Sequence, residues 1–364
     1  MVVDGLTPRR VETPSTAEEV AEVLRLAARA DEAVVPVGGG RALGLGDPLE
    51  RFDVALETRR LNRVVEMSPA DMTVSVDAGI TVEDLNAELA KVGQFVPVDP
   101  FNAPGHTVGG VLAAGLSGPL RMRFGSPREF VIGLRVALPD GRLASSGGRV
   151  VKNVSGYDLN KLHQGALGSM GVIVSASFKV FPRPLHEVTL VAAFEDGWAE
   201  AARALALPMP PVALELTSEG RVLARLAGSQ EAVRRIAREL GWPEGPEDAW
   251  SEHARRAGST WARISVPPGR LRDVVGRLPS KAVWWASPGV GVANWVGDLD
   301  AVSVRLARRA AEDAGGGLVL IAAPVDLKRQ VGAWGTAPAT LPWMTGLRNA
   351  FDPRRTLSPG RFLT

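Results

Sequence analysis

PVGGGRALGLG, Pro36 to Gly46, is the stretch on which the reading of the fold turns. It continues the apolar run Ala33–Val35, which is short enough for a buried strand, and three successive glycines stand where that strand must end. Without Cβ atoms, the backbone N–H groups of Gly38, Gly39 and Gly40 can converge on an anion, and a diphosphate needs several such donors. Pro36, Val37, Arg41 and Ala42 complete this candidate phosphate loop. A purely structural turn is the competing reading. Two familiar phosphate motifs fail on context. A Walker loop would continue Gly-Lys-Ser/Thr, where Arg41-Ala42 stands. A Rossmann fingerprint would open straight into a helix, whereas Gly44-Leu-Gly-Asp-Pro48 starts one poorly.

Strands and helices alternate around this loop. Thr16-Ala-Glu-Glu19 reads as a capping box before the helical stripe Val20, Val23, Leu24 and Ala27. Phe52–Thr58, Met72–Gly79 and Gly171–Phe181 read as strands, and Val82–Val92 as a helix. Phe130–Ser145 reads as a hairpin with a Pro-Asp-Gly turn.

Two further glycine-rich segments carry candidate site residues. In PGHTVGGVLAAGLSG, Pro104–Gly118, the residues Gly105, Thr107, Val108, Gly109, Gly110, Ala113, Ala114 and Gly115 would let a backbone lie against a planar or extended ligand. A closely packed helix of small residues is the alternative. In VVKNVSGYDLNKLHQGALGSMGVIV, Val150–Val174, the candidates are Tyr157, Gly168, Gly171, Val172 and Ile173. Tyr157, the chain's only tyrosine, reads equally as an ordinary buried phenol.

All nine tryptophans lie between Trp198 and Trp343, and the glycine-dense loops lie mostly before residue 175. This shift places a boundary near Phe181–Leu185, where two prolines punctuate the chain. The second half reads as close to two βαββαβ units with a helical insertion near Pro246–Ala257. Its strands are Val188–Phe194, Ala213–Thr217, Val222–Ala227, Thr260–Val266, Ala282–Ala286, Gly291–Trp295 and Gly317–Ala322. Its helices are Gly197–Leu205, Gln230–Leu240, Pro268–Leu278 and Leu299–Ala314. The tryptophan-rich second half reads either as a core filled by large aromatics or as a subunit interface. In the pair Trp284-Trp285, strand alternation sends one side chain to each face, so at least one can leave the domain's own core.

Composition removes several function classes. There are no cysteines, which excludes disulfides, thiolate metal sites, a cysteine nucleophile and a cluster ligated by this chain's cysteines. The net charge is +2 and no run of like charges marks a nucleic-acid tail. No apolar stretch is long enough for a transmembrane segment, and the first residues lack the pattern of a signal peptide. The expectation is a cytoplasmic protein that meets a membrane, if at all, through partners. None of the four histidines, His106, His163, His186 and His253, is spaced for a metal site.

Together the three glycine segments resemble the FAD-binding domain of the vanillyl-alcohol-oxidase/para-cresol-methylhydroxylase (PCMH) superfamily. The matching pieces are Gly38–Arg41, Thr107–Gly110, Arg123–Gly125, Gly156–Leu162 with Gly165–Val172, and Phe351–Pro353 with Pro359-Gly360. The resemblance implies an α+β protein: a two-subdomain FAD-binding domain of the PCMH type (1–183), then a small ferredoxin-like α+β cap domain (184–335). The cap would serve substrate or a subunit interface, and residues 336–364 would return to the FAD domain. Within the family, Gly115–Gly133 and Val150–Leu162 are similar to the E-type subunits of bacterial glycolate oxidases.

That likeness implies an FAD-dependent oxidoreductase subunit taking or relaying electrons from glycolate or a similar 2-hydroxy acid. It implies a catalytic D-type flavoprotein and an iron–sulfur F-type subunit as partners. Where some relatives carry a flavin-linking histidine, Arg41 stands, so the implied FAD is non-covalent. The metal-binding histidine motif of hydroxy-acid members is absent, and Leu167 occupies a position that is acidic in many of them. Independent turnover would need a cationic clamp, for which Arg225 and Arg263 are the candidates, and a base; no catalytic residue is identified.

Overall fold

In the computed structural model, residues 1–100, 104–148, 158–246, 248–250 and 258–363 are described. Helix Ala17–Arg29 starts where the side chain of Thr16 accepts the N–H of Glu19 at 3.1 Å. Glu19 reaches back to the N–H of Ser15 at 2.6 Å, so the box closes one residue earlier than Thr16 itself. Its buried stripe, Val20, Ala21, Leu24 and Ala27, packs on two sheets at once. One side meets Val34, Val54 and Leu56; the other meets Ala137, Val172 and Val174.

The first sheet is parallel, with Val54–Glu57 between Arg10–Glu12 and Val34–Val37. The C-terminal segment extends it. The N–H of Val34 donates to the carbonyl of Thr356 at 2.8 Å, and that of Ser358 donates to the carbonyl of Val34 at 3.0 Å. The second sheet is antiparallel, in the order Val64–Ser68, Thr73–Asp77, Val172–Lys179, Val131–Ala137, Leu143–Gly147. Its last two strands form the expected hairpin, closed by the N–H of Gly141 on the carbonyl of Leu138 at 2.9 Å. Strand Val64–Ser68, at the sheet edge, has no buried alternate face and so gives no alternating signal in the sequence. Helices Val82–Ala90 and Val108–Ala114 cover this sheet through Leu85, Leu89, Val108 and Leu112.

The second half is one seven-stranded antiparallel sheet in the order His186–Ala193, Arg221–Gly228, Ala213–Thr217, Val283–Ser287, Val292–Gly297, Thr260–Ser265, Gly317–Ala322. Its last four strands follow the order of a complete ferredoxin-like βαββαβ unit. The first three belong to a second unit that stops after its second helix. Helices Gly197–Leu205, Gln230–Leu240, Leu271–Val275 and Ala301–Asp313 pack on one face. The segment Pro268–Leu278 begins as a 3₁₀ turn, Pro268–Arg270, and its helix ends at Val275, where Gly276 follows. Most of the expected insertion near Pro246–Ala257 lies outside the described residues.

The opposite face of this sheet meets the first half. Alternation sends Trp284 to the helices, where it lies 6.0 Å from Trp198, and Trp285 the other way, 6.0 Å from Trp261. Trp261 and Trp285 are buried against Leu45, Ala114 and Leu167 of the first half. The ring leaving the sheet's own core is thus absorbed inside the chain. The exposed tryptophan is Trp343, on helix Leu341–Phe351, at 79%.

Candidate cofactor site

A cleft opens where strand Val34–Val37 ends and its glycine loop faces helix Val108–Ala114. The pieces are held together by Thr107. Its hydroxyl oxygen caps the helix by accepting the N–H of Gly110 at 3.3 Å and accepts the N–H of Gly39 at 3.3 Å. So close an approach requires missing side chains. A Cβ on Gly38 would lie 2.1 Å from Oγ1 of Thr107, and one on Gly39 only 1.9 Å from the carbonyl oxygen of Gly105. Gly40, at φ +74°, turns the chain with almost nothing in the space a Cβ would occupy.

The predicted site residues divide by position. Pro36, Gly38, Gly39, Gly40, Arg41, Ala42, Thr107, Gly110, Ala113 and Ala114 line the cleft. Val37, Val108, Gly109, Val172 and Ile173 are buried behind it; a Cβ on Gly109 would strike Ala78 at 2.8 Å. Gly115 ends the helix in the left-handed conformation, and Gly168 packs on Pro36. Gly171 lies against Val136, and Gly105 approaches the Arg41 guanidinium. Tyr157 lies outside the described residues, as does His253.

Several lining residues were not on the sequence list of site residues. Leu43 and Leu45 belong to the glycine loop itself, whereas Val35, His106, Leu167, Ser358 and Arg361 complete the walls. His106 is 4% exposed, and its carbonyl accepts the N–H of Val82. Leu167 holds a positive φ of 53° while packing beside Leu45 and Ala114. Ser358 and Arg361 come from the far end of the chain, beside the Pro359-Gly360 element; that motif was the available signal for them.

The donor chemistry suits an anionic, extended ligand. Among the described residues, the N–H groups of Gly40, Arg41 and Ala42 donate to no protein acceptor. They stand at the cleft wall that Arg41 and Arg361 also line, and beyond them the lining becomes small and apolar at Gly110, Ala113, Ala114 and Leu45. A dinucleotide's diphosphate needs the first set and its flat ring system the second.

The two clamp candidates lie elsewhere. Nη2 of Arg263 donates to the carbonyl of Ser117 at 3.3 Å, bridging the halves, and burial pushes its pKa down to about 10. Arg225 lies 4.8 Å over the ring of Trp250 and pairs with Glu187 at 3.5 Å. Nearby, burial pushes the carboxyl of Asp99 up to about 7, although it accepts the N–H groups of Leu120 (2.8 Å) and Gly118 (3.2 Å). Among the described residues no group of three or more His, Asp or Glu is arranged for a metal, and no helix is long and apolar enough to cross a membrane.

Residues 8–147 match the family described as FAD binding domain. The chain therefore carries an FAD-binding domain with FAD as its cofactor, and the proteins it resembles include FAD-dependent oxidoreductases. It is 29% identical to the glycolate oxidase subunit GlcE of Escherichia coli K12 over 316 residues, covering 84% of this chain and 86% of that protein. It is 30% identical to the glycolate oxidase subunit GlcD of Bacillus subtilis 168 over 189 residues, 52% of this chain and 40% of that longer protein. A solved alkyldihydroxyacetonephosphate synthase superposes with a TM-score of 0.70 at 16% identity, over 96% of this chain and 76% of its own, which is a likeness of fold.

Proposed function

We propose that this chain is the FAD-carrying E-type subunit of a glycolate-oxidising complex, working with a catalytic D-type flavoprotein and an iron–sulfur F-type subunit. The cleft between the Gly38–Ala42 loop and helix Val108–Ala114 carries the reading, because its unengaged N–H groups and Cβ-free walls suit a dinucleotide. The alignment with subunit GlcE over most of both chains supports the assignment. Bound FAD supplies two-electron acceptance and release. Gly40–Ala42 would hold the diphosphate with backbone donors, and Arg41 would balance its charge. Gly110, Ala113 and Ala114 would lie along the cofactor where larger side chains would exclude it. Trp261 and Trp285, packed against Leu45, Ala114 and Leu167, would keep water from that end.

In this reading residues 1–183 form the FAD-binding part, residues 184–335 the cap, and residues 336–364 a tail that closes on the first part. The cofactor is held non-covalently, since Arg41 follows the three glycines. Electrons pass through the subunit rather than originate on it, because the two cap arginines are spent on contacts to Ser117, Trp250 and Glu187.

The purified chain, incubated with FAD and desalted, should retain flavin absorbance. Anaerobic glycolate should leave the bands unchanged until D- and F-type partners are added. Bleaching by glycolate alone would make this a self-sufficient oxidase. Absence of flavin even with partners present would refute the cofactor assignment.

A further inference from the structure

Behind the glycine loop, two buried cations from distant parts of the chain hold its carbonyl groups. Lys328, on helix Val325–Val331 of the second half, is 1% exposed and donates from Nζ to the carbonyl of Gly44 at 2.6 Å. Arg361, near the C-terminus, is 4% exposed and forks. Its Nη2 donates to the carbonyl of Leu43 at 2.5 Å, and its Nη1 donates to the carbonyl of Asp47 at 2.9 Å. Asp4, at the other end of the chain, pairs with both, at 2.6 Å from Arg361 and 3.7 Å from Lys328. The carboxylate of Asp47 accepts the N–H of Ala333 at 2.7 Å. Three carbonyl groups of the segment 43–47 are therefore tied to side chains from outside the glycine loop.

Burying two cations is costly unless each is fully partnered, and here the loop's carbonyl oxygens are among the partners. The common target of the two cations is the loop. The segment 43–47 continues from the turn that carries the candidate diphosphate donors, and that turn is closed by the N–H of Leu45 on the carbonyl of Ala42 at 3.0 Å. Holding carbonyls 43, 44 and 47 fixes where the turn begins and ends. The N–H groups of Gly40–Ala42 then face the cleft before any ligand arrives, which spares the ordering cost on binding.

We infer that Lys328 and Arg361 are positioning residues that preorganise the diphosphate loop, so that cofactor affinity in the first half depends on the second half and on the C-terminal tail. The inference rests on reading Gly38–Ala42 as the diphosphate site. Neither residue needs to touch the reacting part of the cofactor. Their effect is on the geometry of the donors.

The test uses the full chain with Lys328→Met and Arg361→Lys; the second keeps a charge but loses the fork. Arg329→Met serves as the control, since Arg329 lies on the same helix and is 68% exposed. Two quantities are read: FAD affinity by flavin fluorescence titration, and amide hydrogen exchange of the cofactor-free protein. Lys328→Met should weaken FAD at least tenfold and Arg361→Lys by a smaller factor in the same direction. Exchange should accelerate within residues 39–47 and stay unchanged in both large sheets, and the control should match the parent in both readouts. Affinities within twofold of the parent would overturn the inference. So would exchange that rises equally throughout the chain, because that marks general loosening. If the unmodified chain takes up no FAD, the loop assignment itself falls; normal uptake by both variants removes only the clasp.

Discussion

Gly39→Ala is the most demanding test of the site. An added Cβ would lie 1.9 Å from the carbonyl oxygen of Gly105 and 3.0 Å from its carbonyl carbon, both backbone atoms that cannot rotate away. Ordinary contact needs about 3.4 Å, so the loop and the segment before helix Val108–Ala114 must separate by about 1.5 Å. That movement opens the bond between the N–H of Gly39 and Thr107 and carries the neighbouring donors off the cleft wall. Each backbone donor to a charged group contributes roughly 1.5–3 kcal/mol. Losing two of them costs roughly 3–6 kcal/mol, or about two to four decades in Kd at 1.4 kcal/mol per decade. Gly40→Ala is the companion. It has open space, so its cost is the left-handed strain at φ +74°, roughly 1–2 kcal/mol of stability borne with or without ligand, and its Kd should stay within about one decade of the parent. Titration of each variant with FAD, followed by flavin fluorescence, gives both numbers. Gly39→Ala binding as tightly as the parent, or more tightly than Gly40→Ala, would refute the close-approach argument.

Three other perturbations have defined outcomes. Burial pushes the pKa of His163 down to about 4, and among the described residues its Nδ1 has no hydrogen-bond partner. The unfolded chain, with a histidine pKa near 6.5, binds the proton first, so this group's contribution is complete above pH 6.5 and is lost as pH falls towards 4. The loss is about 1.4 kcal/mol per pH unit, roughly 3 kcal/mol in all, and it should vanish in His163→Leu when urea unfolding is compared at pH 7 and pH 4.5. Thr107→Val removes the helix cap and the acceptor for Gly39, and should cost about 1–2 kcal/mol in urea unfolding together with weaker FAD uptake. Asp352→Ala strips the acceptors from the buried N–H groups of Thr356 (2.9 Å) and Leu357 (2.7 Å). It should cost roughly 2–6 kcal/mol, and unfolding within 0.5 kcal/mol of the parent would contradict the pairing.

Local signals carried much of this protein. Helices Gly197–Leu205 and Gln230–Leu240 and strands Ala213–Thr217 and Gly317–Ala322 begin and end where periodicity and capping residues place them. The glycine loop was legible because three adjacent glycines at a strand end have few other uses. The family resemblance joined that loop to Thr107–Gly110, nearly seventy residues away, and the structure puts both on one cleft.

Long-range pairing decided the rest. The Pro359-Gly360 motif marks the tail that carries Ser358 and Arg361, but that tail reaches the cleft only because Thr356–Ser358 pairs along strand Val34–Val37. Nothing local marks Lys328 either, since a lysine on a short helix is normally solvated, and only the approach of Gly44 and Asp4 gives its charge partners. Alternation in Val283–Ser287 separated Trp284 from Trp285, but which neighbour received Trp285 depended on how the seven-stranded sheet lies against the first half. Sequence patterns report the angular spacing of side chains along one element. The partner each side chain meets is set by which distant elements the tertiary fold brings alongside, and the cleft walls, buried cations and tryptophan seam of this chain are all of that second kind.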